Sequence, residues 1–155
     1  MPIDWLVNGT PVRTASAGTT PLLDVLRNEL DLKGTRYGCG LEQCGSCMVL
    51  IDGKPAYACA REIGSLAGRS VTTIEGLGGN HPLQRAFLDE QAGQCGYCLS
   101  GIIMSAKALL DTNPSPSRTE IIAALDNHLC RCGAQPRILR VVEKAAAMMR
   151  QGVRS

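Results

Sequence analysis

Eight cysteines fall into two groups of four, and each group has a spacing that could hold metal. Cys39, Cys44, Cys47 and, after eleven intervening residues, Cys59 form a C-x4-C-x2-C…C pattern. That is the plant-type [2Fe–2S] spacing, in which three thiolates come from one tight loop and the fourth from a neighbouring strand. Gly38, Gly40, Gly45 and Ser46 supply a backbone free enough to turn its N–H groups towards the sulfurs. Donors aimed in that way raise a reduction potential. Structural zinc usually takes two C-x2-C-like pairs, which this clustering does not match.

The second group is Cys95-Gly96-Tyr97-Cys98 with Cys130-Arg131-Cys132. Taken alone it admits three chemistries: a four-cysteine zinc site, a redox C-x-x-C, or a second cluster. The redox pair is the weakest, because this C-x-x-C falls between predicted helices instead of following a strand of a βαβ unit. Two cysteine pairs facing each other across a helix bundle can hold a [2Fe–2S] core, and four plus four leaves no cysteine unexplained.

Composition narrows the function further. The 155 residues carry a formal charge of +2 and show no Lys/Arg cluster, so nucleic-acid binding has no electrostatic footprint. Aromatic residues are limited to Trp5, Tyr37, Tyr57, Phe87 and Tyr97, too few for a base-stacking surface. Met1-Pro2-Ile3-Asp4-Trp5 lacks a basic region followed by an apolar run, so no secretory signal is expected. No window approaches the roughly 18 apolar residues of a membrane span, and no direct membrane insertion is expected. The chain's own sequence therefore reads as cytoplasmic, although a folded complex could be exported to the periplasm on a partner's signal. In a reducing compartment, eight cysteines point to metal rather than disulfides.

The elements that must position these cysteines divide the chain. Residues 3–7 and 10–14 read as a hairpin around Asn8-Gly9, and residues 47–52 and 55–59 as another around Asp52-Gly53. Between them, Thr20-Pro21 opens a helix with an apolar stripe of Leu22, Leu23, Leu26 and Leu30, closed by Gly34. Residues 70–74 make a last strand. Gly76-Leu77-Gly78-Gly79-Asn80 reads as a linker; its glycines lack the helix and acidic partner of a dinucleotide site. Beyond it, four helices are predicted: His81 to about Gln91, Tyr97 to about Asp111, one capped by Ser117 with Glu120, and one from near Pro136. The expected fold class is α+β: a ferredoxin-like β-grasp domain over residues 1–75, a linker at 76–80 and a four-helix domain over 81–155. Neither half has a generous core, and metal centres commonly stabilise domains this small.

With both cysteine groups in view, the sequence resembles the small iron–sulfur subunit of the xanthine oxidase family of molybdenum hydroxylases over nearly its whole length. The resemblance is carried by Tyr37-Gly38-Cys39-Gly40 through Cys47, by Gln94-Cys95-Gly96-Tyr97-Cys98, and by Leu129-Cys130-Arg131-Cys132-Gly133. It implies an outer [2Fe–2S] cluster on Cys39, Cys44, Cys47 and Cys59, and an inner one on Cys95, Cys98, Cys130 and Cys132. It further implies that the inner cluster lies nearest a molybdopterin, of the cytosine dinucleotide type, held by a separate large subunit. Gln94 and Cys132 match the positions near that pterin. The reaction implied is oxidative hydroxylation of an aldehyde or an electron-poor ring carbon, with no catalytic residue on this chain. After the C-x-C, many members continue Thr-Gly-Tyr, whereas this chain reads Gly133-Ala134-Gln135-Pro136-Arg137-Ile138. That variant is similar to the small subunits of two-component isoquinoline, nicotinate and aldehyde dehydrogenases. Their large partners tend to carry c-type haem, so the next acceptor implied is a cytochrome c in preference to a flavin-containing redox subunit.

Two rival readings are a free-standing ferredoxin-like carrier with a structural zinc in the helical half, and an iron–sulfur redox sensor. The sensor lacks any DNA-binding or effector element. Arg131, between two cysteines, is placed to offset cluster charge or to dock a partner. His81 reads as a helix cap, His128 as a surface helix position beside the second cysteine group, and Met148 and Met149 as packing.

Overall fold

The computed structural model describes residues 1–152. The last three residues of the expected 81–155 segment thus lie outside the described residues. A five-stranded mixed sheet has the order β2-β1-β5-β3-β4, with β1 (Ile3–Val7), β2 (Thr10–Thr14), β3 (Met48–Ile51), β4 (Lys54–Tyr57) and β5 (Ser70–Thr72). Strand β5 lies between the two hairpins, parallel to β1 and antiparallel to β3. Both hairpin turns are two residues long. Asn8 and Gly9 have φ of 51° and 79°, and Asp52 and Gly53 have 51° and 81°. These doubly positive pairs match the twist of the flanking strands, which explains the Asn-Gly and Asp-Gly choices.

Helix α1 (Leu22–Asp24) continues as a π-turn over Val25–Glu29 and then stops. The helix expected to reach Gly34 is therefore shorter. Leu30 N–H reaches back to the Val25 carbonyl, Leu32 N–H to that of Leu26, and Asp31 is left-handed at φ 57°, which ends the helical path. Leu22, Leu23, Val25 and Leu26 are buried with Ile3, Trp5, Val7, Val49 and Val71 in one core. This is the β-grasp arrangement expected of the first half.

All four residues of β3 are buried, because both faces of that strand are covered. Val49 and Ile51 belong to the first core, whereas Met48 and Leu50 belong to a second core built from helices. Those helices are α2 (Pro82–Asp89), α3 (Leu99–Thr112), α4 (Arg118–Leu125) and α5 (Gln135–Arg150). Their caps follow the sequence: His81 and Gln84 form a reciprocal capping box on α2, Ser117 and Glu120 another on α4, and Pro136 sits in the first turn of α5. Helix α3 packs against β3, so the second half covers the back of the sheet. In the connecting segment, Ile74–Leu77 form a 3-10 turn with Leu77 buried, and Gly78 and Gly79 follow in left-handed conformation. The Asn8 side chain accepts from Thr73 N–H at 2.8 Å and donates to Thr73 Oγ1 at 2.9 Å, tying this segment to the first hairpin.

Candidate metal centres

The first cysteine loop curls around its own thiols. Cys39 Sγ accepts N–H groups from Leu41 (3.2 Å), Gln43 (3.3 Å) and Cys44 (3.4 Å), and Cys44 Sγ accepts from Cys39 N–H (3.3 Å). Gly40 and Gly45 take positive φ of 70° and 79°, and a Cβ on Gly38 would lie 2.5 Å from Cys44 Sγ. Only glycine leaves room there. The N–H groups of Leu41 and Gln43 bring the Cys39 thiol down to about 7, whereas burial pushes Cys47 up to about 12. Cys59 lies just beyond β4 and its thiol meets that of Cys47.

The second group is assembled from three places. Cys95 precedes α3, Cys98 is the residue at its N-cap, and Cys130 and Cys132 lie in the loop before α5. The thiol of Cys98 meets that of Cys130, and Cys95 meets Cys132. Burial pushes Cys98 up to about 12. The N–H of Tyr97 lowers Cys95, which is exposed. Burial raises Cys130, but N–H groups of Ala134, Cys132 and Gly133 outweigh it and leave that thiol lowered. Gln94 Nε2 donates to the Cys132 carbonyl at 3.2 Å, which puts Gln94 on the exposed side of the group.

All eight cysteines are free thiols. They meet in twos: Cys39 with Cys44, Cys47 with Cys59, Cys95 with Cys132, and Cys98 with Cys130. Among the described residues, no three Cys, His, Asp or Glu side chains converge as they would around one ion. Two pairs per group suit a two-iron core, each iron taking two thiolates, and the inward N–H groups suit thiolate charge.

Comparison with known proteins agrees with this chemistry. Residues 6–67 match a 2Fe-2S iron-sulfur cluster binding domain and residues 73–143 a [2Fe-2S] binding domain. The chain is 53% identical over 152 residues to one of the nicotinate dehydrogenase subunits of Pseudomonas putida, covering 96% of this chain and 97% of that one. It is 50% identical to the alpha subunit of isoquinoline 1-oxidoreductase from Brevundimonas diminuta, covering 93% and 97%. A chain of quinoline 2-oxidoreductase from Pseudomonas putida superposes with a TM-score of 0.92 at 35% identity, over 98% of this chain and 97% of that one. The chain belongs to the small iron–sulfur subunits of the xanthine oxidase family of molybdenum hydroxylases.

As such a small subunit it is an electron-transfer component of an oxidoreductase, and its relatives are parts of multi-subunit molybdenum enzymes. Among the described residues, no helix is long and apolar enough to cross a membrane. The small subunit's two cysteine loops touch. Leu129 N–H donates to the Cys44 carbonyl at 3.0 Å, and a Cβ on Gly101 of α3 would collide with the Gly45 carbonyl oxygen. His128 fills the same seam, which corrects its expected place on a helix surface. It follows the end of α4, is 8% exposed, and its Nε2 lies 2.7 Å from Ser105 Oγ while the ring faces Gly45. Burial brings its pKa down to about 4, so the ring is neutral there. A lone His near a cysteine motif carries no sequence signal for that role; only the packing of Gly45 and Gly101 makes the space. His81 caps α2 as expected, Met148 and Met149 pack against the helical core, and Arg131 is exposed.

Proposed function

We propose that Cys39, Cys44, Cys47 and Cys59 hold one [2Fe–2S] cluster, and Cys95, Cys98, Cys130 and Cys132 a second. When bound, the clusters supply one-electron carriers between a molybdenum centre in a large partner and a redox subunit, cytochrome c-containing by preference over flavin-containing. The substrate class in this reading is an aldehyde or N-heterocycle chosen by the partner; the nicotinate, isoquinoline and quinoline in the relatives' names support the heterocycle. In this reading the chain divides into residues 1–75, a linker at 76–80 and residues 81–155, with one cluster in each half.

The observation that carries this reading is the two-by-two meeting of thiols in both groups. Cys47 and Cys98 anchor each site on its buried side. Exposed Cys95, with Gln94 fixed to the Cys132 carbonyl, opens the second site to the partner that holds the molybdopterin, of cytosine dinucleotide type. Backbone N–H groups on Cys39 and Cys44 favour the reduced state of the first site. Cluster assembly is assigned to the cytoplasm, any export being directed by a partner.

The test is a cofactor inventory of the native complex isolated through this chain: molybdenum, iron, sulfide, haem and flavin. Molybdenum with haem and without flavin supports the cytochrome-linked form. Molybdenum with flavin retains the family role and replaces the acceptor. Absence of molybdenum from the intact complex removes the proposed partner.

A further inference from the structure

Arg36 lies three residues before Cys39, and nothing in the cysteine spacing marks it. Its backbone N–H donates to the Ser46 carbonyl at 3.3 Å, which closes the base of the first cysteine loop. Its side chain crosses to the other group. Nη1 donates to the Gly96 carbonyl at 3.0 Å, and the guanidinium carbon stands 5.1 Å from the ring centroid of Tyr97. Gly96 and Tyr97 are the two residues between Cys95 and Cys98. Tyr97 returns the contact, its Oη donating to the Tyr37 carbonyl. The Tyr37 ring folds over Gly40, where a Cβ would lie 2.5 Å from Tyr37 Oη. Two residues of the first loop thus grip the turn between two thiols of the second.

Packing alone does not explain the clasp. Tyr37 and Tyr97 remain 57% and 48% exposed, so burial supplies little of the reason for holding them together. Among the described residues, Arg36 forms no ion pair with a carboxylate. Its charge is therefore left without an acidic partner at the point where the two cysteine loops meet. A positive charge held at fixed position beside a site that gains an electron favours the reduced form, and partial burial of the side chain weakens screening.

We infer that Arg36, through Tyr97 and Tyr37, is a positioning residue that sets the relation between the two cluster loops and biases both sites towards reduction. The inference rests on the ligand assignment proposed above. Lysine at this position keeps the charge and loses the planar fork, methionine loses both, and Tyr97→Phe keeps the ring and loses only the bond to Tyr37.

The experiment uses the native complex carrying Arg36→Met, Arg36→Lys or Tyr97→Phe, with iron and sulfide content measured for each. Potentiometric EPR then reads the two S = 1/2 signals and their mutual magnetic splitting. In Arg36→Met the oxidised-to-reduced ratio at fixed potential shifts about tenfold towards oxidised, which is about 59 mV for a one-electron couple. The magnetic splitting changes as well. Arg36→Lys restores the potential. Tyr97→Phe changes the splitting and leaves the potential in place; with Arg36→Lys it carries the test if Arg36→Met does not load. Two signals in the parent, with potentials and splitting unaltered in every loaded variant, overturn the inference while the ligand assignment stands. A single signal in the parent overturns both.

Discussion

Burial separates the thiols within each site: Cys47 and Cys98 are pushed up to about 12, while hydrogen bonds from Leu41 and Gln43 hold Cys39 at about 7. In the proposed clusters, thiolate ligation would displace protons from the buried members, which would couple loading to the fold around them. Cys44→Ser should abolish one EPR signal and leave the other, because no thiol is shared between the groups; Cys98→Ser should do the reverse. Away from the sites, Glu29 shows how a polar residue secures the first half. Its carboxylate accepts from Ser16 Oγ at 2.6 Å, from Thr14 Oγ1 and from Ala15 N–H at 3.1 Å, so its pKa is held below the ordinary 4.5. A depressed carboxylate contributes stability that is present above 4.5 and lost as pH falls through the folded value. The gap in melting temperature between the parent and Glu29→Gln should accordingly be widest near neutrality and close in acid, as a pair of thermal melts across that range would record.

Among the elements, α3 has the most exacting position, since its Cys98 end bears a thiol and its Gly101 face meets the first cysteine loop. Gly101→Ala places a methyl group against the Gly45 carbonyl, a backbone atom that cannot swing away. Overpacking of this kind costs about 1–3 kcal/mol, and the loop that moves is the one bearing Cys44 and Cys47. Thermal unfolding should show the loss, and the first site's EPR signal should broaden or fall, while the sheet's circular dichroism stays. By contrast, the α4 cap is a local affair. Ser117→Ala removes the acceptor of Glu120 N–H, and chemical denaturation should register about 1 kcal/mol without change at either site.

The whole molecule is two apolar cores sharing one strand. Met48 and Leu50 face the helices, Val49 and Ile51 face the π-turned helix, and Cys47 of the first cysteine loop immediately precedes that shared strand. Each core is small, so bound metal should be a large part of the stability. Removal of iron from the isolated chain by a chelator under reducing conditions should lower the melting temperature markedly, and differential scanning calorimetry before and after reconstitution would measure the return.

Much of this was legible in the residues themselves. Cysteine spacing is covalent information: C-x4-C-x2-C and the two later pairs delimit which thiols can converge, and they mark both candidate sites. Asn8-Gly9, Asp52-Gly53, Ser117 with Glu120 and His81-Pro82 likewise act within a few residues, so local chemistry determined those turns and caps. The early stop of α1 was not legible, because Leu22, Leu26 and Leu30 keep helical spacing while Asp31 turns left-handed. Nor was the seam between the loops. His128, Gly101 and Arg36 touch partners between 23 and 83 residues away in sequence, and only chain packing brings them together. What the thiols could bind was written in their order along the chain. How the two sites face each other came only with folding, because that relation is made of long-range contacts with no local pattern.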